Sequence, residues 1–157
     1  MKSIQTLVIR LEVIWWLLTF LILGGVLFPI YTKVGNNYPF YLINSVFIIT
    51  FITITRLIFL LQYSFLANWE RLKIGLVLLS PILIFLLVNE LNFFQTFIDE
   101  KGIGDFLSDK SIHQQEALRK YITSEMLLFG TGSLIAALIL PFRLILSVWR
   151  GRNRGTV

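Results

Sequence analysis

The chain has 157 residues, 56% of them hydrophobic and 15% charged, with 14 phenylalanines; a soluble domain averages about half apolar and a quarter charged, so most of this chain belongs in lipid and no separate soluble domain is left over. The net charge of +5 raises nucleic acid as a partner, but Lys and Arg gather at the ends of apolar runs and form no single basic face, which argues against it. Having no cysteine, the chain lacks disulfides, thiolate metal sites, a catalytic thiol and a lipidated cysteine.

A membrane-spanning helix needs about 20 mainly apolar residues, because the hydrocarbon core is about 30 Å thick and each residue rises about 1.5 Å. Four stretches qualify, at about 7–31, 40–66, 74–98 and 121–148. The first begins with Lys2 and Arg10 ahead of apolar residues, as a signal peptide does, but it is too long and has no Ala-x-Ala cleavage site, so it is expected to be a retained helix. Gly24 and Gly25 within it offer a place for close helix contact.

Between the first two stretches, Lys33 to Pro39 carries turn residues and ends in a proline at the next helix start, which predicts a short hairpin. The connection 68–73 is also short. The third, 99–120, is longer and holds five acids and four basic residues, so it is the connection able to carry surface function. Within it, Ser111 followed by Gln114 has the spacing of a capping box. A helix starting there would run without interruption into the fourth span and project above the membrane. Pro81 and Pro141 fall inside spans, where each removes a helix hydrogen bond.

Orientation follows from Lys and Arg near the span ends, which are in excess on the cytoplasmic side. Lys2, Arg10, Arg71, Lys73, Arg143, Arg150, Arg152 and Arg154 fall on one side. On the other, Lys33 stands in a hairpin, and Asp99, Glu100, Asp105, Asp109 and Glu116 offset Lys101, Lys110, Arg119 and Lys120. Both termini are therefore predicted inside. Trp15, Trp16, Trp69 and Trp149 on the inner side, with Tyr31, Tyr38, Tyr41 and Tyr121 on the outer, read as interfacial anchors. The expected fold is thus all-α and polytopic: a small bundle of four transmembrane helices in the cytoplasmic (inner) membrane.

A charge at mid-membrane costs about 2.5–3.5 kcal/mol on insertion scales, so each one needs a partner, a water path or a route to the interface. Arg56, ten residues from the inner end of the run 40–66, is the deepest cation, roughly 15 Å in. Glu12, about one turn inside the first span, is the carboxylate nearest in depth, and an Arg56–Glu12 ion pair is expected. Glu90 and Glu125 fall at similar depth near the outer side. Beside Asn89, Asn92, Thr123 and Ser124 they would suit a proton or cation, or contact a partner subunit.

In the fourth span, Gly132 with Ala136 and Ser133 with Ala137 have the small-xxx-small spacing that lets helix backbones approach closely. A phosphate loop is excluded, since no Gly-Lys-Ser/Thr follows the glycines. His113 is the only histidine and falls in the outer connection, which leaves no Ser-His-Asp or His-rich zinc arrangement. The acids around Asp99 do not match a calcium loop. The basic tail from Trp149 onward suits anionic headgroups.

No motif names a reaction, and no cofactor or catalytic residue is implied. The expected role is a non-enzymatic accessory or structural subunit of a larger cell-envelope membrane complex, whose partners are other integral membrane subunits. The alternative is a small oligomeric transporter or channel in which Glu90, Glu125 and Arg56 form a proton or cation pathway.

Overall fold

The computed structural model describes residues 2–102, 107 and 111–153, with 2–5 and 68 described by their backbone alone. Asp105, Asp109, Lys110 and Arg154, used above for orientation, lie outside the described residues. The chain is helical: α1 spans Lys2–Val34, α2 Tyr41–Leu60, α3 Glu70–Glu100 and α4 Ile112–Asn153. Among the described residues, four helices are long and apolar enough to cross a membrane.

Helix ends depart from the apolar runs in ways that local chemistry explains. The run 40–66 is α-helical only to Leu60 and continues as two short 3-10 turns, Leu61–Tyr63 and Phe65–Asn68. Ser64 between them is extended, its hydroxyl donating to Leu61 O at 2.9 Å; a serine that bonds nearby backbone competes with the helix ladder. Helix α3 then begins at Glu70, so Arg71 and Lys73 stand in its first turn and not in the connection.

Helix α4 begins directly after Ser111, with Gln115 N–H donating to Ser111 O at 2.9 Å. Its 42 residues correspond to about 63 Å, twice the thickness of a bilayer's hydrocarbon core. Pro29, Pro81 and Pro141 all lie inside helices. Because Pro81 has no N–H for Val77 O, the Ser80 hydroxyl takes that carbonyl instead, at 2.7 Å.

Helix α4 packs mainly on α2 and α3, while α1 leans on α2. Asn44 meets Glu125, and Ile58 O meets Arg143, so α2 and α4 run in the same direction. Lys73 meets Ser147 and Glu70 meets Arg152, so α3 runs antiparallel to α4. Glu12 meets Arg56, so α1 runs antiparallel to α2. The starts of α1 and α3 and the ends of α2 and α4 consequently share one end of the molecule.

The contact between α4 and its neighbours is made by missing side chains. A Cβ at Gly130 would stand 2.7 Å from Leu91 Cδ1 and 3.3 Å from Phe47 Cε2, and one at Gly132 would stand 2.8 Å from Phe51 Cε2. Ser133, Ala136 and Ala137 are buried on the same helix. Gly24 and Gly25, expected at a close contact, are exposed, and a Cβ on either meets nothing within 4 Å. The reason is that α1 lies along the edge of the molecule and touches the rest through another face.

Candidate functional site

The sequence order of α2 and α4, combined with their parallel packing, brings the first turn of α2 beside the first third of α4. There Asn44, fully buried, donates from Nδ2 to Glu125 Oε1 and, at 3.5 Å, to the Tyr38 hydroxyl. Glu125 is 7% exposed and Tyr38 2%. Asn44 Oδ1 and Glu125 Oε2 are buried without a hydrogen-bond partner among the described residues. Thr123 Oγ1 is a third such atom, but a residue two positions from Glu125 points from a different face of the helix.

Tyr38 does not act as an interfacial anchor. It is packed edge-on against Tyr41, ring centroids 4.9 Å apart, and beside Phe40, which in turn stacks edge-on against Phe94 and Phe97. Burial, reinforced by the nearby Glu125 carboxyl and opposed by the Asn44 hydrogen bond, holds the Tyr38 phenol above the ordinary tyrosine range. Tyr41 and Tyr121 tie the same end together, donating to Gly35 O at 2.8 Å and to Val26 O at 2.9 Å.

Glu90 does not join Glu125. The contact between Gly130 and Leu91 places Glu90 level with residue 131 of α4, six residues from Glu125, which is about 9 Å of depth. Glu90 is half-buried, while Asn89 and Asn92 are exposed. Distance from the span ends suggests similar depth, but the register is set by the glycine that admits Leu91.

At the opposite end, Arg56 pairs with Glu12, their side chains 10% and 18% exposed. Glu12 Oε1 also accepts from Phe65 N–H at 3.3 Å, so one carboxylate holds both the guanidinium and the backbone just after α2 unwinds. Arg56 lies four residues before the end of α2, about 6 Å, instead of ten residues from the end of a longer helix. Two further cations serve loose carbonyls nearby. Arg143 Nε donates to Ile58 O at 2.9 Å, and the buried Lys73 donates to Ala67 O at 2.6 Å and Ser147 Oγ at 3.0 Å. Ile58 is among the last residues of α2, whose carbonyls have no helical partner.

Sequence reasoning singles out Glu125, misses Asn44 and reads Tyr38 as an interfacial anchor. A signal existed: Asn44 is an amide side chain inside an apolar run, where a polar group needs a partner. Compared with protein-family models, curated proteins and solved structures, the chain matches none.

Proposed function

We propose that this protein is a non-enzymatic accessory or structural subunit of a larger membrane complex in the cell envelope, acting in transport, secretion or an ion-driven assembly. What supports this reading is the use of the charges within the helices. Arg56, Arg143 and Lys73 each end on a partner inside the chain, and the space between α2 and α4 is filled by Phe47, Phe51 and Phe129. Charges spent on holding helices together leave a support, not a conduit. Apolar side chains along α1, among them Ile9, Val13, Phe20 and Phe28, stay exposed and are open to other membrane subunits.

In this reading the four helices form a small bundle in the cytoplasmic membrane with both termini inside. The gathering of Arg71, Lys73, Arg143, Arg150 and Arg152 at one end supports that orientation. Because the chain has no cysteine, single introduced cysteines test it directly. Glu116→Cys should react with an impermeant reagent from outside intact cells, and Arg71→Cys should react only after the membrane is opened. Purification in mild detergent tests the subunit role, which requires unrelated membrane proteins in fixed stoichiometry.

A second reading, a small oligomeric transporter or channel for protons or cations, draws support from the unpartnered oxygens of Asn44 and Glu125. In liposomes it requires ion flux through the purified homo-oligomer that Glu125→Gln abolishes. Flux that survives that substitution removes this site from the pathway.

A further inference from the structure

Between α3 and α4 lie two adjoining sections of an apolar groove, which share Val77 as a wall. Its first section is lined by Ile74, Val77, Ile145, Trp149 and Arg152. Its second runs on from Val77 past Pro81 and Pro141 to Val88 and Leu138. From Ile74 to Val88 on α3, and from Arg152 to Leu138 on α4, the span is 14 residues, or about 21 Å. That equals one leaflet with its headgroup layer, about 20–22 Å.

The groove is polarised along its length. Its walls are hydrocarbon except for Ser80, whose hydroxyl is taken up by Val77 O, and for the mouth, where Arg152 stands beside Trp149, 60% exposed. Arg150 and Arg71 are exposed at the same end. The acid there, Glu70, is already engaged by Arg152 in an ion pair open to solvent, with side chains 47% and 65% exposed. Such a pair is weak, so a phosphate can share the guanidinium. Trp149 stands where an indole favours the headgroup level.

We propose that this groove is a binding site for one anionic phospholipid, with an acyl chain lying between α3 and α4 and the phosphate held at Arg152 beside Trp149. The site requires that the chain sit in a bilayer and does not depend on the subunit reading.

Native mass spectrometry of the full chain, released from detergent after incubation with phosphatidylglycerol or phosphatidylcholine, tests it. The wild type should retain one phosphatidylglycerol per chain in preference to phosphatidylcholine. Arg152→Gln, at an exposed position, should lower phosphatidylglycerol retention about fivefold, towards the neutral lipid. Ile145→Trp, which fills the groove from its exposed wall, should lower retention of both. Equal retention of the two lipids by the wild type, retention untouched by both substitutions, or occupation of this face by a second copy of the chain would each overturn the proposal.

Discussion

Gly130 of α4 sits directly beneath Leu91 of α3, so close that a Cβ at 130 would lie 2.7 Å from Leu91 Cδ1, with Phe47 of α2 at 3.3 Å. One absent side chain thus lets three helices meet at a point. Gly130→Ala should cost about 1–3 kcal/mol, the usual range for overpacking a filled interior, and Gly132→Ala should behave alike against Phe51. Gly25→Ala meets open space and should be neutral or stabilising by up to about 1 kcal/mol through helix propensity. Thermal unfolding in a single detergent measures all three. If Gly130→Ala and Gly25→Ala unfold together, α4 does not depend on this contact.

Arg56 and Glu12 allow a test of whether their pair holds the end of α2 in place. Both side chains are partly buried, so removing one partner leaves a charge behind at a cost that approaches but does not reach the about 3–5 kcal/mol of a fully buried pair. Arg56→Leu and Glu12→Gln should both destabilise strongly, Glu12→Gln also weakening the tie to Phe65 N–H. Combining them should cost much less than the sum, and the coupling from the double-mutant cycle is the measurement. Additive effects would mean that the two side chains act separately.

The four apolar helices could be read from the sequence because lipid imposes a strict requirement of about 20 apolar residues per crossing, and runs of Leu, Ile and Phe meet it visibly. Arg56 was matched with Glu12 because few intramembrane charges existed to choose among. What could not be read was register. Counting from the span ends gives Glu90 and Glu125 similar depths, whereas the fit of Leu91 over Gly130 decides their separation. The early end of α2 was hidden for a related reason. Apolar residues continue to Leu66, but Ser64, Glu12 and Arg143 offer the backbone other partners. Asn44 is not singled out by the sequence, and Tyr38 reads there as an interfacial anchor, because only the parallel packing of α2 on α4 brings them to Glu125.

Asn44 is the described donor to Glu125, so its removal isolates a buried carboxyl. Asn44→Leu should destabilise by about 1–3 kcal/mol, the cost of a buried polar group left unpaired. Replacing both members, as Asn44→Leu with Glu125→Leu, should recover most of that loss, since an apolar pair of similar size leaves nothing unsatisfied. Chemical unfolding of the single and double variants decides the matter. A double variant less stable than Asn44→Leu alone would show that Glu125 has another partner worth keeping.

Tyr38 carries a pH dependence whose sign follows from its burial. Its phenol is held above the ordinary tyrosine range, burial being the main cause and Glu125 the next. In the unfolded chain it ionises near pH 10, so below that value it is protonated in both states and contributes no slope. As pH rises past about 10, the unfolded chain loses the proton first and the native chain keeps it. Stability should then fall, by up to about 1.4 kcal/mol per pH unit. Tyr38→Phe has no phenol to ionise at this position and should make this alkaline decline shallower. Unfolding midpoints followed from neutral to strongly alkaline pH provide the comparison. Parallel curves for the wild type and Tyr38→Phe would mean that the phenol titrates freely, and that the aromatic packing around Phe40 does not close the site to water.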